Sequence, residues 1–597
     1  MPADAALTDM LRSIAHRGPD GEGQFYQSFA GGDSRVALGH RRLAILDPVG
    51  GAQPMTAGAA TIAYNGEVYN FVALRDELSA AGYRFSTRSD TEVVLNAYRH
   101  WGIRFVDRLR GMFALAIWDA DREQLVLARD RFGKKPLFLA RIDEAILFGS
   151  EIKALLPLVE KRIEPAALEA YFAYRYVPGP MTFFKGIEKL PPGTVAVWKR
   201  GAYEIEPYWR PPDAAPRRLW QGGDPVAALR HALDDAVALR MISDVPFGAF
   251  LSGGLDSSTI VALMARHSAG PIETFAVGFD EPGFSELDEA ALVARHVGTS
   301  HHALTVSVRD FPELLPVLIR ARDAPVPEPS DIALYRLAML ATKTVRMVLS
   351  GEGADEILGG YPKHRAELLS WTYRRLVPLA AHRSLVLPLA GHTPFAARRL
   401  RIALTAMGLR DETARFAQWF GALSPEARRD LLALPAVAFD PPESAGETPL
   451  RRLFHFDQTS WLPDNLLERG DRVTMAASIE ARSPFLDQHL VELVSSLPDR
   501  ARLGKDLLRR VAADLVPAHT VRRRKVGFRA PTSEWLRRGL KAFLLDNLLG
   551  PSSRTRHYYH AAALDRIIGE HMSRRVDHGK LLWTILSLEL FHREYAL

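Results

Sequence analysis

From residue 1 to about 205, the 597-residue chain alternates short apolar runs with turn-forming residues, the pattern of half-buried strands. Runs at 61–64, 113–118 and 125–128 predict strands, and helical periodicity at 71–81 and 91–101 places helices between them. That mixture predicts an α+β domain over 1–205 in which helices sandwich sheets. A Pro- and Gly-rich passage, 206–225, reads as a linker. Over 226–597 the pattern changes. Apolar runs at 245–251, 273–278 and 345–349 each end in a polar loop and are separated by longer helical stretches. This spacing predicts an α/β domain built on a parallel sheet with crossover helices. Beyond about 365 the pattern is mostly helical, and no internal repeat is found.

Composition narrows the chemistry. An apolar fraction of 47% and a charged fraction of 24% are ordinary for a globular enzyme, and a formal charge of +6 is weak over this length. Neither nucleic acid nor a membrane is expected as a partner. No stretch reads as a secretory signal or a spanning helix, so a cytoplasmic protein is expected. The chain contains no cysteine, which excludes disulfides, thiolate metal sites and a cysteine nucleophile within these residues.

Two loops carry the strongest signal. Ser252-Gly253-Gly254-Leu255-Asp256-Ser257-Ser258 follows an apolar strand and opens a helix. Adjacent glycines let backbone N–H groups approach phosphate oxygens, and a helix N-terminus adds positive potential there. The competing reading is a glycine turn capped by Ser and Asp. Ser350-Gly351-Glu352-Gly353-Ala354-Asp355-Glu356 stands at a second strand end, where alone it would read as a solvated acidic loop. Open α/β sheets bind ligands outside the carboxyl ends of their strands, so the two loops are expected to face one crevice. Asp256 and Asp355 could then share a Mg²⁺.

The first loop resembles the pyrophosphate loop of ATP pyrophosphatases, and the second narrows the resemblance to the asparagine synthetase family. Leu462-Pro463-Asp464-Asn465-Leu466-Leu467 and Glu480-Ala481-Arg482-Ser483-Pro484-Phe485-Leu486-Asp487 match the same family. The resemblance implies a carboxylate attacking the α-phosphorus of ATP, followed by ammonia displacing AMP. It implies ATP contacts at Leu251, Ser252, Gly253, Gly254, Asp256, Ser257, Val277, Ser350 and Gly351, with Mg²⁺ on Asp256 and Asp355. Glu352 is implied as the group taking a proton from the amine. Lys525, in Arg522-Arg523-Arg524-Lys525-Val526-Gly527-Phe528, is implied as a phosphate partner. A basic nucleic-acid or sorting patch is the rival reading of that run. The segment 323–331 is expected along the acceptor pocket.

The first 205 residues resemble the family's N-terminal-nucleophile glutaminase domain, an αββα sandwich. The match is carried by His16-Arg17-Gly18-Pro19-Asp20-Gly21, Gly39-His40-Arg41-Arg42-Leu43-Ala44-Ile45, Tyr64-Asn65-Gly66-Glu67 and Ser89-Asp90-Thr91-Glu92. It implies glutamine contacts at Arg42, Leu43, Ile45, Asn65, Gly66, Glu67 and Asp90, with Asn65 and Gly66 as an oxyanion hole. By itself Asn65-Gly66 reads as a hairpin turn. The family opens with a catalytic cysteine, whereas Pro2 follows Met1 here. Losing that opening core strand would forfeit roughly 6–15 kcal/mol of apolar burial. The expectation is therefore a recorded start placed downstream of the true one. The rival is a real truncation that leaves an ammonia-dependent enzyme.

The expected reaction converts aspartate, ATP and glutamine-derived or free ammonia to asparagine, AMP and pyrophosphate. The alternatives are amidation of another carboxylic acid, such as a sugar acid, and an inactive nucleotide-binding regulator. A homodimer is compatible with the sequence.

Overall fold

The computed structural model describes residues 3–29, 34–216, 220–391, 397–421, 423–524, 527 and 529–597. Its N-terminal part is a sandwich of two sheet layers. One is a six-stranded antiparallel sheet in the order β11-β10-β6-β5-β4-β3. The facing layer is in two pieces: the pair β1 (Gly21–Phe29) and β2 (Ser34–Arg42), and the trio β8-β7-β9.

The six-stranded sheet is assembled from β3 (Met55–Ala57), β4 (Ala60–Val68), β5 (Gly111–Asp119), β6 (Gln124–Arg129), β10 (Thr194–Lys199) and β11 (Ala202–Pro207). The trio is β7 (Phe138–Ile142), β8 (Ala145–Gly149) and β9 (Ile187–Lys189). Strand β5, Gly-Met-Phe-Ala-Leu-Ala-Ile-Trp-Asp, is buried on both faces because it lies mid-sandwich. One face packs against the helices Phe71–Ala80 and Asp90–Trp101, and the other against Leu38, Leu137 and Leu139 of the facing layer. Ser89 starts the second helix by accepting from Thr91 N at 3.1 Å. Outside the facing layer, the helix Ala3–Ser13 seats Leu7 and Leu11 against Gly39, where a Cβ would lie 2.9 Å from Leu7 Cδ1.

The hairpin expected at Asn65-Gly66 is corrected. Both residues lie inside β4, opposite Ala114 and Phe113 of β5. Gly66 is needed for close pairing, since a Cβ there would fall 2.2 Å from Met112 O.

The passage read as a linker is docked to the body. Its Asp213 is fully buried and accepts from Arg502 Nη1 at 2.5 Å and Nη2 at 2.9 Å. After the helix Pro225–Arg240 comes a five-stranded parallel sheet in the order β14-β13-β12-β15-β16. Its strands are β12 (Phe247–Phe250), β13 (Glu273–Phe279), β14 (Ser300–Val306), β15 (Met347–Leu349) and β16 (Glu480–Arg482). The chain runs outward from β12 to β14 and returns on the other side as β15. The switch point therefore lies between β12 and β15, with Ala249 paired to Leu349. Strand β16 comes from the region read as mostly helical, and pairs with β15 although only three residues long. Among the described residues, no helix is long and apolar enough to cross a membrane.

Candidate active sites

Loops 251–257 and 350–356 leave the carboxyl ends of the two adjacent strands β12 and β15 and enter one cleft of about 1040 Å³. Gly253 takes φ +69° because it backs onto the neighbouring helix, where a Cβ would come within 2.5 Å of Glu289 C. Gly254 starts the helix Leu255–His267 with no side-chain cap, so the first N–H groups open toward the cleft. Ser257 Oγ accepts from Ser252 N at 3.2 Å and lies 3.0 Å from Ser252 Oγ. The loops touch at Gly351, where a Cβ would sit 2.9 Å from both Asp256 Cβ and Ser257 N.

Asp256 and Asp355 meet at one cation. Lys505 Nζ lies 2.7 Å from Asp256 Oδ1 and Oδ2, and 2.5 Å from Asp355 Oδ1. Lys505 holds φ +62° after Gly504 at φ +77°, a costly backbone for a residue bearing a Cβ. Gly360 makes room beneath it, since a Cβ there would fall 2.2 Å from Lys505 Cε. Among the described residues no group of three His, Asp or Glu side chains forms a metal cage. A two-carboxylate seat that already gathers one positive charge is nevertheless the donor set that Mg²⁺ shares with phosphates. The residues present fit that ion.

Glu352 stands on the same wall. Burial raises its carboxyl to about 7, opposed by Arg469 and reinforced by Asp331, although the side chain keeps some exposure to the cleft. Gly470 admits that carboxyl, because a Cβ would meet Glu352 Oε2 at 2.9 Å. Beyond Glu352 the wall carries both signs of charge. Glu328 pairs with Arg175 at 3.0 Å, Arg469 lies 3.5 Å from Asp331, and Arg398 lies 3.7 Å from Asp577. Burial and the neighbouring Arg175 bring Lys580 down to about 7, against the pull of Glu328.

Of the residues singled out from sequence, Leu251, Ser252, Gly254, Asp256, Ser257, Val277, Gly351, Glu352 and Asp355 line the cleft. Gly253 and Ser350 stand behind its wall, with Ser350 N donating to Arg482 O at 2.9 Å. Lys525 lies outside the described residues, while Arg523, Arg524 and Gly527 around it line the cleft. Of segment 323–331, Glu328, Pro329 and Ser330 reach the cleft. Asp323 is instead buried, accepting from Tyr595 Oη at 2.6 Å. Sequence reading missed Lys505, Arg469, Arg398 and Lys580. Each sits on a helical segment distant from the glycine loops, and only the Gly504-Lys505 pair at a helix start gave any local signal.

A second pocket, about 110 Å³, lies in the N-terminal part and is lined by Arg42, Leu43, Ile45, Asn65, Gly66, Glu67 and Asp90. Arg42 donates to the carbonyls of Leu46, Asp47 and Pro48 at 3.1, 2.6 and 2.7 Å, which fixes its guanidinium at the rim. Burial raises the Asp90 carboxyl, opposed by bonds from Val68 N at 3.0 Å and Tyr64 Oη at 2.7 Å. Asn65 Nδ2 is a buried donor with no hydrogen-bond partner among the described residues. An unsatisfied buried donor in a polar pocket points to an acceptor brought by a ligand. His40 is driven down to about 4 by burial and stays neutral, donating from Nε2 to Tyr64 O at 3.0 Å.

The later motifs clamp the two halves together. Asp464 takes Lys189 Nζ at 3.1 Å, and Asp487 takes Arg110 Nε at 2.8 Å. Arg482, fully buried in β16, donates to Glu67 in the second pocket at 2.9 Å, to Glu480 at 2.9 Å and to Ile242 O at 2.8 Å. Arg482→Met would leave two buried carboxylates without that partner, a loss of about 3–5 kcal/mol. In a chain of this size this lowers Tm by roughly 3 °C. Glu480 would keep Lys135 at 3.3 Å, but both carboxyls would titrate higher without the guanidinium, so the loss grows as pH rises. Melting at pH 8 should show a larger deficit than at pH 5.5, and an equal deficit at both would remove the electrostatic explanation.

Two loops at a sheet's switch point, an acidic seat with a cationic partner, and a separate small polar pocket in an antiparallel sandwich are the layout of a two-domain enzyme with one site suited to phosphates and another to a small polar ligand. Comparison with known proteins makes this particular. The asparagine synthase family profile matches residues 228–593, and the glutamine amidotransferase domain profile matches residues 1–209. The chain belongs to the asparagine synthase family. A putative glutamine-hydrolysing asparagine synthetase of Mycobacterium bovis is 36% identical over 99% of this chain and 94% of its own length. Asparagine synthetase 1 of Bacillus subtilis is 33% identical over 98% and 93%. An amidase of Penicillium rubens is 28% identical over 83% and 79%.

Proposed function

We propose that the chain amidates aspartate to asparagine through an aspartyl-adenylate. The observation that carries the reading is the meeting of Asp256 and Asp355 at Lys505 Nζ, beside Glu352, in one cleft. In this reading the phosphates of ATP lie on the N–H groups of residues 252–257, and the substrate β-carboxylate attacks the α-phosphorus. Pyrophosphate leaves toward Lys505. Asp256 and Asp355 would hold Mg²⁺, which when bound neutralises the departing phosphates. Glu352, poised near neutrality, takes a proton from the ammonia that adds to the acyl carbon, and AMP departs. Lys525 keeps the phosphate role that its match to the family gives it.

Two features favour aspartate as acceptor. Relatives similar over nearly their whole length are named asparagine synthetases. The cleft wall also offers Glu328 and Asp577 beside Arg398, Arg469 and Lys580, a set of both signs that suits a zwitterion carrying a further carboxylate. Ammonia enters free or from glutamine held in the second pocket by Arg42 and Asp90, with Asn65 and Gly66 facing its amide. The 597 residues themselves supply no cysteine for glutamine hydrolysis.

Pyrophosphate release assayed over a panel of carboxylic acids tests the acceptor. Release with aspartate at least tenfold above every other acid is the expected result. Release with a sugar acid but not aspartate would transfer the chain to the second class of amidotransferase, and silence with all acids would leave only nucleotide binding.

A further inference from the structure

Seven arginines and no aspartate or glutamate fall between Glu367 and Asp411; Arg375, Arg383, Arg399 and Arg410 are exposed, whereas Arg374 pairs with Glu367, Arg398 with Asp577, and Arg401 donates to Asp577 O. The whole chain carries a formal charge of only +6, so this stretch is a concentration that overall composition hides. Helix Arg398–Met407 packs against both Pro362–Leu376 and Leu387–Gly391. Of residues 378–389, eight are exposed and only His382 is buried.

The same surface is apolar. Seven of the thirteen exposed large hydrophobic side chains among the described residues lie between 369 and 400. Leu369, Leu376, Leu385 and Leu389 are 69, 75, 67 and 64% exposed. Exposed cations stand among them: Arg375 lies 3.6 Å over the Trp371 ring, and Arg383 projects beside Leu385 in sequence.

We propose that this surface docks peripherally on an anionic lipid bilayer. Leucines interleaved with arginines, and a tryptophan under a guanidinium, match an interface whose acyl edge is apolar and whose headgroups are negative. A second copy of the same surface would bring arginine against arginine, which opposes self-association. Nucleic acid would satisfy the arginines but leave the leucines in water. No helix among the described residues can span a bilayer, so the contact is interfacial. Helix Arg398–Met407 carries exposed Leu400 and also lines the cleft through Arg398 and Ile402, so the docked face borders the cleft mouth.

Sedimentation of the full chain with vesicles tests this. Partition onto phosphatidylcholine vesicles containing phosphatidylglycerol should exceed partition onto phosphatidylcholine alone at least tenfold, and should fall as salt is raised. Arg375→Gln with Arg383→Gln should weaken it about thirtyfold, at about fivefold for each cation lost near the surface. Leu385→Asp with Leu389→Asp should weaken it at least tenfold, with thermal melts of both double variants matching wild type. Should a variant melt early, the comparison of wild type on the two vesicle types decides alone. Equal partition on both vesicle types, or none, overturns the proposal. So does tighter binding to duplex DNA than to anionic vesicles, or a dimer that the leucine variant dissociates.

Discussion

Glu352→Gln should lower amide formation at saturating ammonia by at least about a thousandfold, near the upper range for removing a general base. Glutamine keeps the shape that Gly470 accommodates but cannot accept a proton from the incoming amine. The wild-type rate should rise with pH through about 7, the value to which burial raises this carboxyl. The sign of the stability effect is opposite to that on activity. A carboxyl whose folded value lies above its unfolded value costs stability as pH climbs past the unfolded value, and the cost is complete above about 7. Discounted for the exposure Glu352 keeps to the cleft, that cost is about 1–3 kcal/mol at pH 8. The variant should therefore melt higher than wild type at pH 8 and alongside it near pH 4. Amide formation within tenfold of wild type would end the assignment of Glu352 as the proton acceptor.

The glycine loops were legible because their chemistry is local. A strand, a turn with two glycines and an uncapped helix start are written in consecutive residues, and the structure places both loops at neighbouring strand ends. Asp256 and Asp355 were paired from sequence as holders of Mg²⁺, on the rule that strand ends share a crevice; the cation the structure places between them is the Lys505 ammonium. What sequence did not carry was that cation. Lys505 reaches the seat from about 150 residues downstream of Asp355, through a left-handed backbone turn that no periodicity reports. Strand β16 was hidden for a related reason. Three residues give too little alternation to read, and Arg482 within it is a charged side chain buried by partners from both halves. Asn65-Gly66 misled in the other direction. Its local preference is a turn, but pairing with β5 overrides it because the glycine permits a close backbone contact. The clamp residues Asp464 and Asp487 were recognised as parts of motifs, while their partners Lys189 and Arg110 lie hundreds of residues away and could be named only from the fold.

Lys505→Ala should lower pyrophosphate release by about a hundredfold to a thousandfold, the scale of losing a preorganised charge at a site where negative charge develops. Asp256 and Asp355 both take this ammonium within 2.7 Å, and its side chain is only 5% exposed, so water would replace it poorly. Without it, two carboxylates face the place where pyrophosphate departs. Like charges that close repel each other and the phosphates. A divalent ion can occupy the same seat, so raising Mg²⁺ should restore part of the lost rate in the variant more than it stimulates wild type. A purely structural role predicts something different: a lower melting temperature and a rate that Mg²⁺ does not recover. Lys505→Arg should not substitute, because Gly360 leaves room beside Cε for a slender ammonium stem and not for a planar guanidinium. If Lys505→Ala releases pyrophosphate within threefold of wild type, the seat is not where the phosphates leave, and the two aspartates would have to hold the nucleotide by some other geometry.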